Sequence, residues 1–389
     1  MPIHLKNLPL KIITYITRLY NAILRSSHFP SQWKQSIIVP IHKPSKHPAQ
    51  VDSYRPISLL SILSKILEKL IALRLQRFIR LTDFHNPNQF GFQAAQSTTH
   101  QLLRLSELIY EGFEHKQHTL AVFLDYSKAF DSVWHNGLLF KLRKFGFPTY
   151  LINIIANFLT NRYFKVCLDK YYSSPHKIIT GVPQGSPLSP ILFTIYINDF
   201  PQTLHTCTAL FADDAAILSQ HSDFDELRKR VQTALNIIEQ WSKQWELKLN
   251  PLKCQVKTFT LRPYPEDPLL AINNITIPYL PTNEPVKYLG LFMDTKLTWK
   301  NHIQQTLEKA KQRYGQLHPL LNRRSSVQSD IKILIYKSLI RPMIMYGCPI
   351  WSCASHSHIN KIQIFQNKIL RSAVNAPWYI RNTQLHNDL

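Results

Sequence analysis

The chain has 389 residues, of which 44% are hydrophobic, so it can bury a core divided over two or three subdomains, which excludes a disordered tail. Lys and Arg total 46 against 24 Asp and Glu, and a formal net charge of +22 opposes compaction unless a polyanion neutralises it. Nucleic acid is therefore the expected partner, rather than a membrane, because no run reaches the roughly 18 apolar residues that span a bilayer.

Cysteine usage and the basic N-terminal stretch bear on where the protein works. Five scattered cysteines do not suit a secreted disulfide framework, so an intracellular protein is expected, nuclear or cytoplasmic. The N-terminal stretch carries Lys6, Lys11, Arg18 and Arg25 and no acid before Asp52. Two interpretations stay open for it, a mitochondrial transit peptide and an ordinary helix. The helix would bury a face made of Ile12, Ile13, Ile16, Leu19, Tyr20 and Ile23.

Apolar periodicity predicts the elements of the first half of the chain. Residues 36–41 predict a strand, and a basic loop and a helix over about 60–80 follow it. Residues 119–124 predict a strand covered on both faces, which ends at Asp125. Two more helices are predicted over about 138–144 and 149–159. The stripe of the helix at 60–80 consists of Leu63, Ile66, Leu67, Leu70 and Ile71.

The second half begins with a predicted hairpin and ends in helices. An apolar run at 206–212 stops at Asp213 and Asp214 and resumes at 215–218, which places two carboxylates at a hairpin tip. A long helix follows, with Ser222 and Asp225 as its expected cap. From Trp299 onward only helices are predicted. The sequence therefore predicts an α+β fold followed by a helical C-terminal region. The inward face of the long helix comprises Leu227, Val231, Leu235, Ile238, Trp241 and Trp245.

Three aspartates at strand ends form the candidate catalytic constellation. Asp125, Asp213 and Asp214 supply the carboxylate oxygens that two neighbouring hard divalent ions prefer. Successive strand residues face opposite ways, so Asp213 is expected to be the stronger ligand of the adjacent pair. Taken alone, an Asp-Asp pair is more often an ordinary turn.

A shaped loop precedes the predicted hairpin. Residues 181–190 read GVPQGSPLSP, and two glycines with three prolines exclude both a helix and a central strand. Ser189 as N-cap and Pro190 at the first helical position are expected to begin a helix over 191–198. The chain has only 9 glycines, so two here indicate close approach of the backbone to another group.

Several segments resemble reverse transcriptases of non-LTR retrotransposons, closest in style to the Jockey group. FLDYSKAFDSV resembles motif A, GVPQGSPLSPILF motif B, FADD motif C and WELKLNPLKC motif D. YRPISLLSILSKILEKLIALRL and NQFGFQAAQSTTHQL resemble finger motifs, and VKYLGLFMD resembles the primer grip. The resemblance implies an RNA-directed DNA polymerase shaped as a right hand. It implies fingers over 1–115, an antiparallel-sheet palm over 116–296 and a helical thumb over 297–389, with truncation of the thumb left open.

The resemblance also implies roles for individual residues. Asp125, Asp213 and Asp214 would hold two Mg²⁺ ions, with Mn²⁺ as an alternative. The implied nucleotide-binding residues are Arg55, Phe130, Gln184, Gly185 and Lys253, with Lys43 or Lys46 as a helper, and Tyr288, Leu289 and Gly290 would position the primer. Phe130 would exclude a ribose 2′-hydroxyl, and Lys253 would donate a proton to pyrophosphate. The implied partners are an RNA template, a DNA primer, their heteroduplex and dNTPs, and protein partners are left open.

Each assignment has a simpler alternative. Phe130 could fill the core, Arg55 could be a surface charge beside a helix, and residues 288–290 could be an ordinary strand and turn. Asp131 is expected to cap the next helix rather than bind metal. The rival functions are a catalytically silent nucleic-acid scaffold of the same fold and a group II intron maturase. A zinc site is the weaker interpretation of Cys348, Cys353, His356 and His358.

Overall fold

The central sheet of the computed structural model has four antiparallel strands in the order β7-β8-β3-β9. The structure describes residues 7–43, 47–82 and 84–388. Alternate residues of a strand point to opposite faces of its sheet. Leu120, Val122 and Leu124 of β3 lie in one hydrophobic core, and Ala121 and Phe123 lie in a second. The prediction of a strand covered on both faces is confirmed. The strands are β3 His118–Leu124, β7 Cys207–Phe211, β8 Asp214–His221 and β9 Gln255–Phe259.

A second sheet is assembled from distant parts of the chain. Its order is β2-β1-β4-β5, and β6 also pairs with β4. Strand β1 is antiparallel to β2 and parallel to β4, so residues after 160 pair with residues before 43. We call it the finger sheet, after the subdomain that the resemblance assigns to its first strands. Its strands are β1 Gln35–His42, β2 Tyr54–Leu59, β4 Arg162–Leu168, β5 Tyr171–Tyr172 and β6 His176–Ile178.

Helices cover the two faces of the central sheet. The predicted helix at 149–159 has those same bounds, and the one at 60–80 is shifted by one or two residues. Its stripe is partly wrong: Leu67 and Ile71 are buried, whereas Leu70 is exposed. These helices are α1 Leu10–Ser26, α2 Ile62–Leu81, α3 Thr98–Glu114, α4 His135–Lys144, α5 Thr149–Leu159, α6 Ser189–Tyr196 and α7 Phe224–Gln244.

The C-terminal part adds short hairpins and then helices, as predicted from Trp299 onward. Its helices pack on the second core, where Ile303, Ala310, Ile362 and Phe365 are buried, whereas Ile272 of the first hairpin lies in the first core. The hairpin strands are β10 Ala271–Ile272, β11 Ile275–Thr276, β12 Val286–Tyr288 and β13 Leu291–Met293. The helices are α8 Lys300–Leu321, α9 Ser329–Ile335, a π turn Tyr336–Ile340, α10 Arg341–Met345, α11 Cys348–Trp351, α12 His356–Ala373 and α13 Asn382–Asn387.

The N-terminal helix is confirmed, but its predicted buried face is only partly buried. Tyr20 and Ile23 are buried, and the Tyr20 hydroxyl donates to the carbonyl of Leu63 at 2.9 Å. Ile12, Ile13 and Leu19 are instead exposed, because the helix packs on the first core along a narrower face that contains Ile16, Tyr20 and Ile23. Lys6 lies outside the described residues.

Three predicted helix caps are wrong, and in two of them, Ser189 and Asp131, the side chain has another partner. The Ser189 hydroxyl donates to the carbonyl of Pro183 at 2.8 Å, and its helix begins at Ser189 itself. Asp223, rather than Ser222 or Asp225, caps α7 by accepting from a backbone N–H. Asp131 caps no helix, and its carboxylate accepts hydrogen bonds from the side chain of Gln184.

A buried lysine fixes helix α4 to the first core. The Lys141 ammonium is fully enclosed, lies 2.5 Å from the Asp199 carboxylate and stands 3.7 Å from the centroid of the Trp245 ring. The rings of Tyr196 and Trp241 complete the enclosure. Burial lowers the pKa of Lys141 to about 8, and the Asp199 carboxylate limits the fall. The aromatic faces and the carboxylate together offset the free-energy cost of burying the cation.

We expect Lys141→Met to destabilise the protein by about 3 kcal/mol, since removing one member of a buried pair leaves its partner uncompensated. The free energy of unfolding in urea measures this loss. Lys144→Met removes an exposed lysine of the same helix and should change stability by less than about 0.5 kcal/mol. Equal stability of the two variants would contradict the structural importance of the enclosed cation.

Candidate active site

The pairing of β3 with β8 brings two of the three aspartates together. Leu124 pairs with Ala215 as the last residue pair of the ladder. Asp125 is the residue after Leu124, and Asp214 is the residue before Ala215, so the two lie opposite one another where the ladder ends. The predicted hairpin is confirmed, with Phe211 paired to Asp214. Asp213 therefore occupies the two-residue turn, and Asp214 is the first residue of β8.

A segment of one finger motif, residues 89–91, holds the backbone of this turn. Ala212 has a left-handed backbone, with φ at 56°, and its N–H donates to the side-chain oxygen of Gln89 at 2.9 Å. The same oxygen accepts from the N–H of Gly91 at 2.7 Å. A Cβ on Gly91 would lie 2.2 Å from the nitrogen of Ala212, so only glycine fits there. Sequence reasoning did not assign Gln89 a role, because its partner is more than a hundred residues away.

The backbone of Asp125 is held from the other side. Its N–H donates to the thiol sulfur of Cys254 at 3.3 Å, and its carbonyl accepts from the N–H of Asn250 at 2.9 Å. Both partners flank the turn that contains Lys253, whose side chain is exposed. Cys254 was also missed from the sequence, where an isolated cysteine gives no signal of a structural hydrogen bond.

The three carboxylates repel one another. The pKa of Asp214 is raised to about 6, first by burial and then by the negative charges of Asp213 and Asp125. Burial also raises the pKa of Asp213, and the positive charge of Arg55 opposes that rise. The residues are open to solvent on one side, so the surrounding protein removes only part of their hydration. A cation bound between them would relieve this repulsion.

The donor set fits hard divalent ions, because all three side chains offer carboxylate oxygens. Across residues 7–43, 47–82 and 84–388, however, no three such side chains are already gathered in the arrangement that holds an ion. The negative charges of Asp213 and Asp125 nevertheless add to the effect of burial on the pKa of Asp214.

The loop at 181–190 reaches from the motif A turn to the finger sheet. The N–H of Val182 donates to the carbonyl of Phe130, and the Gln184 amide donates to both oxygens of Asp131 at 3.0 and 3.1 Å. The Gln184 carbonyl accepts from the N–H of Ser58 at 2.8 Å on strand β2. Gly185 has φ at +120°, and a Cβ there would lie 2.7 Å from the carbonyl oxygen of Ser58. The expected close approach of a glycine is thus found.

Phe130 is half-buried rather than fully enclosed. Its ring stacks on Phe193 with centroids 4.4 Å apart, and its edge contacts Phe92 at 6.2 Å. The ring therefore packs on the first core and also retains an exposed surface. Both interpretations of Phe130 keep a physical basis in this arrangement.

Among the predicted basic residues, Arg55 carries a positive charge that opposes the rise in the pKa of Asp213. It is exposed on β2. The Lys43 ammonium donates to the carbonyl of Asp52 at 3.0 Å, and Lys46 lies outside the described residues.

The segment Tyr288-Leu289-Gly290 forms the turn between β12 and β13. Tyr288 is buried beside Phe123, the residue two positions before Asp125, with ring centroids 5.1 Å apart. Burial first, and then the charge of Asp214, raises the pKa of the Tyr288 hydroxyl. The turn therefore adjoins the ends of the strands that carry the aspartates.

The alternative zinc site is not assembled. The Cys353 sulfur lies 3.3 Å from the Tyr110 hydroxyl, and Cys348 packs against the second core. Within the part of the chain that the structure describes, no group of three His, Cys, Asp or Glu side chains is placed to hold a metal.

An antiparallel sheet with Asp125 and Asp214 opposite one another at the end of a ladder, beside Asp213 and a glycine-containing loop, is the arrangement that the resemblance implies for a polymerase palm. The family model for reverse transcriptase (RNA-dependent DNA polymerase) matches residues 41–293, and the chain belongs to that family. The resemblance found in the sequence is confirmed. Membership implies dependence on a divalent metal.

Two relatives that are more than 30% identical to this chain come from transposable elements of Drosophila melanogaster. The chain is 39% identical, over 99% of its length, to a probable RNA-directed DNA polymerase from transposon BS of Drosophila melanogaster. It is 36% identical, over 98% of its length, to the RNA-directed DNA polymerase from mobile element jockey of the same species. These matches span only 43% and 42% of the two relatives.

Among solved structures, telomerase from Candida tropicalis in complex with a fragment of telomeric RNA shares 13% identity, with a TM-score of 0.47. That match covers 93% of this chain and 58% of the telomerase chain.

No helix among the described residues is long and apolar enough to cross a membrane.

We expect the raised pKa of Asp214, caused first by burial and then by the charges of Asp213 and Asp125, to appear as a pH-dependent stability. Its folded pKa lies above the unfolded value, so the native state holds a proton that the unfolded state has lost between about pH 4 and 6. In EDTA, the contribution of this group therefore falls as pH rises through that window. Asp214→Asn should be more stable than the wild type near pH 7.5, and the difference should vanish near pH 4.

Urea unfolding of both proteins across this pH range measures the effect. Added Mg²⁺ should stabilise the wild type near pH 7.5, lose this effect below about pH 6, and stabilise Asp214→Asn less. A stability difference between the two proteins that is the same at every pH would show that the pKa of Asp214 is not raised in the folded protein.

Proposed function

We propose that this chain is the RNA-directed DNA polymerase of a non-LTR retrotransposon, adding dNTPs to a primer 3′-hydroxyl by phosphoryl transfer. The observation that carries the proposal is the end of the β3–β8 ladder, where Asp125 and Asp214 lie opposite one another beside Asp213. A structural scaffold has no need for mutually repelling acids at one point, whereas metal-dependent phosphoryl transfer requires them. Family membership supports the same reaction.

Asp125, Asp213 and Asp214 would hold two Mg²⁺ ions, with Mn²⁺ as an alternative and Asp213 as the stronger ligand of the adjacent pair. When bound, the ions would favour ionisation of the attacking hydroxyl and neutralise charge on the leaving pyrophosphate. The protein holds the acids in place with Gln89 at the turn and with Cys254 and Asn250 at the Asp125 backbone.

The remaining residues would handle the nucleotide. The Arg55 guanidinium, on the finger sheet and within electrostatic reach of Asp213, would bind the triphosphate. Gln184, fixed by Asp131, and Gly185 would border the base pair being formed. Lys253 would protonate the departing pyrophosphate. Tyr288, Leu289 and Gly290 would place the primer end.

One face of the finger sheet supports binding of an unpaired RNA template. Arg55 and Leu59 lie on the same face of β2, and Ile37, which pairs with Leu59, also pairs with Lys165. This face continues from Arg55 to a cavity of about 880 Å³ whose lining includes Leu59, Lys165, Tyr163 and Tyr172. Exposed aromatic rings beside cations bind unpaired bases and backbone phosphates. The partners proposed are therefore an RNA template, a DNA primer and their heteroduplex.

The subdomain division also remains a proposal: fingers at 1–115, palm at 116–296 and thumb at 297–389. The finger sheet modifies it, because β4, β5 and β6 come from within the range assigned to the palm. We therefore assign residues 162–178 to the fingers as well.

Primer extension on an RNA template with Mg²⁺ tests the function. Asp125→Asn and Asp213→Asn should lower kcat by about 10²–10³-fold, since each removes charge that stabilises the transferring group. Asp267→Asn, at an exposed site, should match the wild type. A wild type that binds duplex in a salt-sensitive manner but never extends the primer would instead favour the catalytically silent scaffold.

Phe130 offers a test of sugar selection. If its exposed surface occupies the space of a 2′-hydroxyl, Phe130→Val should lower the kcat/KM ratio of dNTP over rNTP by about tenfold or more. Single-nucleotide incorporation measures the ratio. Phe193→Leu is the matched control, because it removes the stacking partner without vacating that space. If both variants only melt earlier and leave the ratio intact, Phe130 is a core residue.

A further inference from the structure

The turn between β12 and β13 is a strained one. Tyr288 pairs with Leu291, so Leu289 and Gly290 form a two-residue connection. Both have positive φ, 42° for Leu289 and 88° for Gly290. Two positive φ angles belong to a type I′ hairpin turn, in which a branched residue such as leucine is disfavoured. Such a conformation persists only where surrounding groups hold it.

One side chain from the following helical region holds the carbonyl of this turn. The Tyr346 hydroxyl lies 2.7 Å from the carbonyl oxygen of Leu289 and 3.1 Å from the hydroxyl oxygen of Thr98. The tyrosine hydroxyl is placed to donate to either oxygen, and because a phenol has one proton, it donates mainly to the nearer acceptor, the Leu289 carbonyl. Thr98 begins helix α3, so this hydrogen-bonded chain joins three separate parts of the molecule.

The ring of Tyr346 also covers the turn. A Cβ on Gly290 would lie 3.1 Å from the ring, so the tyrosine sits directly on the glycine backbone. The next residue, Gly347, lies against the side chain of Leu291, where a Cβ would come within 2.8 Å. The indole N–H of Trp351 donates to the Tyr346 carbonyl at 2.8 Å. The tyrosine is therefore fixed at its backbone, its ring and its hydroxyl.

We propose that Tyr346 is a positioning residue that sets the Leu289-Gly290 turn and, through it, the primer 3′ end. This inference rests on the proposed function, in which residues 288–290 place the primer. Tyr346 touches no reacting atom. Its hydroxyl holds the strained carbonyl in the one orientation compatible with the contact to Thr98, so the turn follows the placement of the helical region relative to helix α3.

The consequence falls on the alignment of the primer end. A freed Leu289 carbonyl lets the turn relax, and small displacements of a reacting group reduce the rate strongly while leaving ground-state binding intact. The loss should appear in kcat, with little change in KM for dNTP. A correctly paired primer end is aligned for reaction, so misplacement of the turn should slow its extension strongly. A mispaired end is already displaced, so its extension should slow less.

Tyr346→Phe removes the hydroxyl and keeps the ring. Tyr336→Phe is the matched control, since Tyr336 is a nearby tyrosine whose hydroxyl donates to Gln366 at 3.1 Å and does not reach the turn. We expect Tyr346→Phe to lower kcat about tenfold, the equivalent of one hydrogen bond. KM for dNTP should change less than about threefold. The ratio of matched to mismatched primer extension should fall, whereas Tyr336→Phe should keep it.

Burst amplitude counts the active molecules and thermal melting reports folding, so a loss of folded protein is separated from misplacement of the primer. A purely structural tyrosine would lower the burst amplitude but leave the rate per active molecule and the mismatch ratio unchanged, which would overturn the inference. If Tyr346→Phe melts far below the control, Thr98→Val tests the same chain and must shift the same ratio. A wild type without extension activity would instead reject the proposed function.

Discussion

The antiparallel register of β3 with β8 is the constraint on which the site depends. It brings Asp125 and Asp214 opposite one another at the end of a ladder whose buried residues leave the strands no freedom to slip. A shift by one residue would reverse the face of every side chain and exchange the contents of the two cores. Packing of apolar residues thus holds in place a group of acids that would otherwise separate.

The supports of this site come from distant parts of the chain. Gln89 clamps the turn before Asp213, Cys254 holds the Asp125 N–H, and Asp131 holds Gln184. None of these residues would bind the substrate directly. Each satisfies a backbone or amide group whose orientation fixes a functional neighbour, which is how a protein positions a catalytic group to within fractions of an ångström.

The periodicity of apolar residues predicted the helices and strands whose formation depends on the local sequence. The strand that ends at Asp125 and the helix at 149–159 follow from unbroken apolar patterns, and the resemblance located the three aspartates. The caps were mispredicted because Ser189 and Asp131 have partners brought in by the fold. Cys254 gave no signal, since its partner Asp125 lies far away in sequence. Hydrogen bonds between remote residues leave no periodicity to detect.

The parallel pairing of β1 with β4 has a consequence for how the protein is made. The paired residues are about 130 positions apart, so the first strands of the finger sheet leave the ribosome long before their neighbour exists. Loop closure on this scale is slow, and an unpaired strand edge invites aggregation while it waits. Strand β1 also carries two exposed apolar side chains, Ile37 and Ile41, which would favour misassembly at the unpaired edge. The edge of β1 that faces β4 is therefore expected to stay unpaired in nascent chains until residues near 166 emerge.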